Sequence, residues 1–193
     1  MESFLAATSI VDVEHVEIAQ LARKLSTGSP SKLETARRCF EWVRDQVAHS
    51  GDTQRNPITC RASDVLKHRT GMCYAKSHLL AALLRANGIP TAFCYQRMKL
   101  DDAGDRWCLH GLNAVFLDGI GWYRIDPRGN KPGVSAQFHP PVEALAYPAG
   151  TDDVQDLDGR HAEPLEVVVK ALQSHPDLAS LLENLPDIGE GDE

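Results

Sequence analysis

The fold is decided by the stretch Thr70-Gly71-Met72-Cys73-Tyr74-Ala75-Lys76-Ser77-His78-Leu79-Leu80-Ala81-Ala82-Leu83-Leu84-Arg85-Ala86-Asn87-Gly88-Ile89-Pro90. Leucine and alanine fill its second half and leave little polar surface, so the pattern predicts a mostly buried helix. Asn87-Gly88 predicts the end of that helix, because glycine adopts the left-handed conformation that follows a last helical turn. Pro90 then prevents continuation.

The start of this helix places a cysteine in its first turn. Thr70 is predicted to cap the helix, Gly71 lets the chain turn sharply, and Cys73 follows. Unpaired backbone N–H groups and the positive end of the helix dipole stabilise an anion at this position, and a thiolate is such an anion. We therefore predict that Cys73 is a nucleophile, and the alternative is a small buried core residue.

Two helices are predicted before this stretch. Apolar residues keep helical spacing over residues 13–25. Ser31, with Glu34 three residues later, is a capping-box pattern that begins a second helix. Its apolar stripe continues to Val47, and the polar residues 49–61 are predicted to form a loop.

Three β-rich segments follow the central stretch, at residues 91–96, 109–117 and 122–126. Residues 101–105 are predicted to form a turn between the first two. The three strands should form an antiparallel meander that packs on the central helix. Helices first and strands afterwards indicate an α+β fold with N-terminal helices.

Composition sets limits on the protein class. The chain has 193 residues, of which 42% are hydrophobic and 24% charged, as is usual for a soluble globular domain. We expect no membrane span and no signal peptide, because no long apolar run is present. A net charge of −7 argues against nucleic acid and anionic membranes as partners. Five cysteines without a CxxC pair argue against a disulfide framework and predict a cytoplasmic location.

A nucleophilic cysteine needs a base, and the base needs a third group that fixes its tautomer. His110 lies near the start of the second predicted strand, and Asp126 ends the third. Pairing Leu117 with Trp122 across the connection would place Asp126 opposite Asn113, three residues from His110. A β-bulge or a strong twist would then be needed to join the two side chains.

Several of these segments together resemble the transglutaminase-like superfamily. The resemblance covers about residues 13–133. Its motifs are Gly71-Met72-Cys73, residues 83–90, His110, residues 121–127, and two upstream segments of the predicted helices at residues 19–22 and 40–45. It implies a papain-related core in which a cysteine-headed helix packs on an antiparallel sheet carrying His and Asp. Two positions depart from the family pattern: Leu112 stands where an aromatic residue is usual, and Arg128 where threonine is usual.

The resemblance implies a thiol-dependent hydrolase that cleaves peptide or amide bonds of a peptide or protein through a Cys73-His110-Asp126 triad and a thioester. Alternatives are acyl transfer from protein glutamine and a non-catalytic binding module. The backbone N–H of Cys73 would supply one oxyanion donor. Gln46 is the first choice for a second donor, and His49 is the next.

Further expectations concern the edges of the site and the end of the chain. Trp107 and His49 are candidates for binding substrate. We expect no cofactor and no metal. The alternative is a zinc site that would combine Cys94, Cys108 and His110. Residues 1–140 are predicted to form the catalytic core. Residues 141–193 are predicted to be an extension, a loop followed by two short helices, that packs on the same domain. The oligomeric state is left open.

Overall fold

The computed structural model describes residues 1–100 and 106–188, so the predicted turn at residues 101–105 lies outside the described residues. The described residues form one 3₁₀ helix and seven α-helices. They are a short 3₁₀ helix (Glu2–Leu5), α1 (Val16–Ser26), α2 (Lys32–Gln46), α3 (Ser50–Thr53), α4 (Ala62–His68), α5 (Cys73–Ala86), α6 (Glu166–Ser174) and α7 (Leu178–Glu183).

The strands form one larger sheet and two short pairs. They are β1 (Ala48–His49), β2 (Thr70–Gly71), β3 (Thr91–Lys99), β4 (Trp107–Leu117), β5 (Gly121–Ile125), β6 (Gln137–His139), β7 (Val142–Ala144) and β8 (Val154–Asp156). The larger sheet has the order β5-β4-β3-β8 and is antiparallel throughout. The predicted meander of three strands is confirmed, while β8 is a fourth strand that the sequence did not indicate.

The predicted start of α2 is confirmed. The Ser31 hydroxyl accepts a hydrogen bond of 3.2 Å from the backbone N–H of Glu34. The Glu34 carboxylate binds Arg37 and Arg38 on the exposed face of the helix. Only half of the capping box is therefore formed, because these two arginines hold the carboxylate that would otherwise turn back toward Ser31.

The central helix α5 is buried over nearly its whole length, as predicted. Every residue from Cys73 to Arg85 is buried, and the following Gly88 has a φ of +65°. The guanidinium of Arg85 is satisfied by backbone carbonyls, among them that of Thr91 at 2.8 Å. A charged side chain inside the core is tolerated here because its donors are paired. The molecule is thus an α+β fold with a buried, cysteine-headed helix on an antiparallel sheet.

The prediction that Thr70 caps α5 was wrong. Thr70 belongs to β2, which pairs in parallel with β1, and its hydroxyl lies 3.1 Å from the Ser50 hydroxyl. The residue that precedes the helix is Met72, without a side-chain cap. Since Thr70 and Gly71 are held in this short ladder, the helix begins two residues later than a Thr70 cap would require.

The predicted register between the last two strands was wrong by one residue. Leu117 pairs with Gly121, and Asn113 pairs with Ile125. Asp126 therefore comes level with Leu112 instead of Asn113. His110 and Leu112 point to the same side of β4, so His110 and Asp126 become diagonal neighbours across two strands. The bulge that the predicted register required is not needed.

The C-terminal helices share the core of the rest of the chain. Val168 and Leu172 of α6 and Leu181 of α7 are buried in the same cluster as the side chains of α5. The two helices are found close to the predicted segments, whereas the division between residues 1–140 and 141–193 stays a prediction. Among the described helices, none combines the length and the apolar character that crossing a bilayer requires.

Candidate active site

The start of α5 packs against the edge of β4 beside His110. Strand β5 ends at Ile125, opposite Asn113, so the backbone groups of Leu109 and Gly111 that face this side have no partner strand. Side chains of α5 take their place. The Ser77 hydroxyl donates to the Gly111 carbonyl at 3.1 Å, and the Tyr74 hydroxyl donates to the Leu109 carbonyl. These bonds hold the first turns of α5 against the strand segment that carries His110.

Glycine at position 111 is required for this close approach. A Cβ atom placed on Gly111 would lie 2.9 Å from Cδ1 of Tyr74 and 3.3 Å from its Cα. Such distances are shorter than normal contacts, so any larger residue would push α5 away from β4. Because Cys73 directly precedes Tyr74, this contact also sets how far the thiol lies from His110.

His110 and Asp126 are in direct contact. Nε2 of His110 lies 2.8 Å from Oδ2 of Asp126. The carboxylate also accepts hydrogen bonds from the backbone N–H of Arg128 at 3.0 Å and of Ala146 at 3.2 Å. Burial alone would raise the pKa of Asp126, but the charge of His110 and these hydrogen bonds lower it below its usual value. Asp126 is therefore a buried, fully paired carboxylate.

The imidazole of His110 faces both the carboxylate and the thiol. Burial alone would lower the pKa of His110, but attraction to Asp126 and Cys73, with hydrogen bonds to both side chains, raises it to about 10. Asp126 and Cys73 therefore favour the protonated form of the ring. Tyr147 covers it edge-on, with ring centroids 5.0 Å apart. A cysteine, an imidazole and a carboxylate in this order can perform nucleophilic acyl chemistry.

Charged side chains of the loop after Asp126 and of α3 bind one another near these three residues. The guanidinium of Arg128 binds Asp52 through two bonds of 2.7 Å and 2.9 Å, and Lys131 binds the same carboxylate at 2.8 Å. The Arg128 guanidinium also lies 5.7 Å from the Tyr147 ring. Arg128, where the family pattern has threonine, thus ties the loop after Asp126 to the short helix α3.

His49 is kept neutral in this environment. Burial and the positive charge of Arg128 lower the pKa of His49 to about 3, although Asp52 opposes the shift. Nδ1 of His49 lies 3.6 Å from the Asp52 carboxylate and has no hydrogen-bond partner among residues 1–100 and 106–188. His49 pairs with Gly71 in the β1–β2 ladder, two residues before Cys73.

A buried lysine lies beneath the site. Lys76, one turn after Cys73, donates hydrogen bonds to the carbonyls of Val47 and, at 3.2 Å, Arg44. Burial lowers its pKa to about 7, while the charge of Asp126 opposes the shift. Gly129 has a φ of +110°, and a Cβ atom there would lie 3.3 Å from Nζ of Lys76. Lys76 thereby joins the end of α2, the helix α5 and the loop after Asp126.

The structure places the other predicted site residues in different surroundings. Gln46 is exposed at the end of α2 and lines a surface cleft together with Lys24 and Trp42, and none of Cys73, His110 and Asp126 lines that cleft. Trp107 is the first residue of β4 and is partly exposed. The Arg97 guanidinium lies 4.9 Å from the centroid of its ring.

The rival zinc site is not assembled in the described residues. Cys94 packs with Ala92, Leu112 and Ala114 in a small apolar cluster separate from the main core. Within residues 1–100 and 106–188, no group of three or more His, Cys, Asp or Glu side chains is arranged to hold a metal ion.

Three residues around the site were missed in the sequence. Lys76 had a signal, because it is a charged residue in a helix predicted to be buried. Arg128 was noticed only as a departure from a family pattern. Tyr147 lies in a segment rich in proline, glycine and aspartate, where no periodic pattern indicates which side chain turns inward.

Known proteins resemble this chain in sequence pattern and in fold. A family model described as the transglutaminase-like superfamily matches residues 19–127. Among solved structures, a protein from Cytophaga hutchinsonii described as a candidate cysteine protease is 21% identical, with a TM-score of 0.53 over 65% of this chain and 40% of that protein. The periplasmic domain of TgpA from Pseudomonas aeruginosa is 23% identical, with a TM-score of 0.48 over 64% of this chain and 45% of that domain. No curated protein matches.

The chain spans less than half the length of these two solved proteins. The first of them shares the fold, and the family match covers more than half of the present chain, including Cys73, His110 and Asp126. The chain belongs to the transglutaminase-like superfamily.

Proposed function

We propose that the protein is a thiol-dependent hydrolase that cleaves peptide or amide bonds of a peptide or protein, with Cys73 as nucleophile, His110 as acid and base, and Asp126 as the group that orients His110. The observation that supports this proposal best is the 2.8 Å contact between His110 and the Asp126 carboxylate, with Cys73 near enough to raise the pKa of His110. The family match supports the same reading.

The reaction proceeds through a thioester. The Cys73 sulfur, as a thiolate beside the His110 imidazolium, bonds to the carbonyl carbon of the substrate. The carbon–nitrogen bond then breaks, and the proton of His110 passes to the leaving amine. Neutral His110 next takes a proton from water, whose oxygen attacks the thioester carbon, and the carbon–sulfur bond breaks to release the acid. Proton transfer of this kind contributes about 10²–10⁴-fold to the rate.

Negative charge on the carbonyl oxygen needs hydrogen-bond donors, each worth about 10²–10³-fold. The backbone N–H of Cys73 at the start of α5 is one proposed donor. We propose that His49 lines the acyl pocket, since it is held in β1 next to the segment that enters α5. Gln46 stays a prediction for the second donor. Because Gln46 is exposed, His49 is the better residue to substitute first in a search for that donor.

The nucleophile is tested by comparing two buried cysteines. Cys73→Ala should abolish hydrolysis of a fluorogenic acyl-thiol probe, and Cys60→Ala should leave it unchanged. Cys60 is a matched control because burial raises its pKa to about 11, which leaves it as an unreactive thiol. Full activity in Cys73→Ala would end the proposal.

The two alternatives are separated by further measurements on the same proteins. Acyl transfer would appear as an amide product when a primary amine is added to the probe reaction, because the same thioester can be attacked by water or by an amine. A non-catalytic binding module would show no preferential alkylation of Cys73 by iodoacetamide at pH 6.

A cytoplasmic location is also proposed, and the free state of all five thiols is consistent with it.

A further inference from the structure

The strand edge beside His110 is occupied by a segment from the far end of the chain. The carbonyl of Pro186 accepts a hydrogen bond of 2.8 Å from the backbone N–H of Leu109. This N–H points to the side of β4 where β5 has ended, so it would otherwise have no strand partner. Residues 184–188 are called the tail segment below.

Charged and apolar contacts fasten the tail segment at this position. Asp187 binds the guanidinium of Arg97 through two bonds of 2.8 Å, and Arg106 donates to the Glu183 carbonyl at 3.0 Å. Leu185 and Ile188 are partly buried against the main core. The segment is therefore held by a few contacts at its two ends and by one backbone hydrogen bond between them.

The tail segment lies next to the proposed reacting groups. Leu109, which it binds, directly precedes His110, and the Leu109 carbonyl is bound by Tyr74, which directly follows Cys73. Cys73 is only 5% exposed and His110 only 4%. A polypeptide substrate has to bring its main chain close to both side chains, so it has to run near the place that the tail segment occupies.

We propose that the tail segment occupies the main-chain binding position of an extended polypeptide substrate, so that the protein inhibits itself until this segment is displaced. The proposal rests on the proposed hydrolase function. An unpaired N–H on a strand edge recognises a main-chain carbonyl irrespective of its side chain, as in other complexes in which a peptide adds to a sheet. The substrate class is therefore an unfolded or flexible chain.

Arg97 adds a preference to this position. The carboxylate that it binds belongs to the residue that follows the carbonyl bound by Leu109. When the tail segment leaves, a substrate with Asp or Glu at the equivalent place can take over the same two hydrogen bonds. Bidentate binding between a guanidinium and a carboxylate is specific in geometry, so an acidic residue at that place is favoured over a neutral one.

The first test weakens the anchor of the tail segment by charge reversal. Asp187→Lys should raise kcat/KM for fluorescein-labelled casein, an unfolded polypeptide, about five- to tenfold, the effect expected from losing one bidentate ion pair in an opening equilibrium. The control Asp153→Lys removes another ion pair of β3, the 3.1 Å contact with Lys99, and should stay within about twofold of the unmodified protein.

The second test supplies the tail segment as a separate peptide. Acetyl-Asn-Leu-Pro-Asp-Ile-amide should inhibit casein cleavage by the Asp187→Lys protein at a concentration several times lower than it needs with the unmodified protein. The same peptide with lysine in place of aspartate should inhibit neither. Equal casein cleavage in the Asp187→Lys and unmodified proteins, with equal inhibition of both by the peptide, would overturn the proposal.

A third measurement needs no variant and remains decisive if Asp187→Lys does not fold. Hydrogen exchange of the unmodified protein with excess acetyl-Asn-Leu-Pro-Asp-Ile-amide should speed up at residues 184–188 while the Leu109 amide stays protected. Unchanged exchange in the tail segment would contradict the inference. Failure of the proposed function looks different, because Cys73 would then react with iodoacetamide no faster than the other four cysteines.

Discussion

At the scale of single residues, the charge on Asp126 decides how His110 behaves. Asp126→Asn keeps the size of the side chain but removes the attraction that raises the pKa of His110. We expect kcat to fall by about 10²–10⁴-fold, the range for a lost acid–base contribution. The alkaline limit of activity, which the raised pKa of His110 sets, should also move to lower pH.

The pH profile of kcat/KM for the acyl-thiol probe measures both effects in one experiment. Gln155→Glu, an exposed change of the same size on β8, is the control for a general effect of charge. An Asp126→Asn protein with the unmodified alkaline limit would mean that the two side chains are not coupled in solution.

Lys76 and His110 should affect stability in opposite directions as the pH rises. The pKa of His110 is raised to about 10, so its stabilisation is complete below about pH 6.5 and is lost as the pH rises toward 10. The pKa of Lys76 is lowered to about 7, so between pH 7 and 10 the unfolded chain binds the extra proton, and folding gains stability as the pH rises.

Lys76→Met should separate these two contributions. The unmodified protein is expected to show a nearly flat Tm between pH 7 and 10, whereas the Tm of Lys76→Met should fall over the same interval. Thermal unfolding followed by circular dichroism at five pH values makes the comparison. Parallel curves for the two proteins would show that Lys76 is charged in the folded state throughout this range.

The sequence was informative for the proposed reacting residues and uninformative for the groups around them. Cys73, His110 and Asp126 each stand at a recognisable place, namely a helix start, a strand start and a strand end. Tyr147 and Arg128 reach the site through side chains on irregular segments, where neither period nor spacing fixes direction. Residue patterns predict which segments meet, but they do not predict which loop side chain covers the meeting point.

At the scale of elements, the contact between α5 and β4 is the most sensitive to added volume. Gly111→Ala places a methyl group 2.9 Å from the Tyr74 ring. We expect a loss of about 1–3 kcal/mol in unfolding free energy, as is usual for overpacking. The rate of Cys73 alkylation by iodoacetamide should also change, because the start of α5 must move.

Gly119→Ala is the matched control for this prediction. Its Cβ atom would meet no atom within 4 Å, and its cost comes only from a φ of +78°. Urea unfolding gives the stability of both proteins, and mass spectrometry gives the alkylation rate. An unchanged alkylation rate in Gly111→Ala would argue against the inferred control of the thiol position by this contact.

The cap of α2 is a local feature with a local effect. Ser31→Ala removes the hydroxyl that binds the Glu34 N–H and should cost about 1 kcal/mol of unfolding free energy. Activity should stay unchanged because the helix start is remote from Cys73. Urea unfolding measures the loss, with the exposed Ser9→Ala as control. Equal stability of the two variants would contradict the capping contribution.

The longer elements and the two C-terminal helices were predictable, whereas the shortest strands were not. The helices before and within the central stretch and the three longer strands carry enough residues for a period to be recognised. The strands β1, β2 and β8 have two or three residues each, and they exist because partner strands are present. The error in the register between β4 and β5 has a similar origin. The sequence Asp-Gly-Ile-Gly alone does not distinguish a three-residue connection from a four-residue one.

At the scale of the whole molecule, the C-terminal helices are part of the core. A chain ending at residue 160 would lose Val168, Leu172 and Leu181 from the main cluster. Each buried residue of this kind contributes about 2–5 kcal/mol, and a whole domain is stable by only about 5–15 kcal/mol. We expect the shortened chain to show no cooperative thermal transition by circular dichroism, and a normal transition would show that residues 1–160 fold on their own.

The free edge of β4 also has a consequence for how the protein behaves at high concentration. Main-chain groups without a partner strand can pair with any other extended chain, including a second copy of this protein. By the same reasoning as in the proposal above, we expect the tail segment to limit self-association as well as to block access to the thiol. Variants in which it detaches are expected to self-associate as their concentration rises, which light scattering would detect as a mass that increases on concentrating the sample.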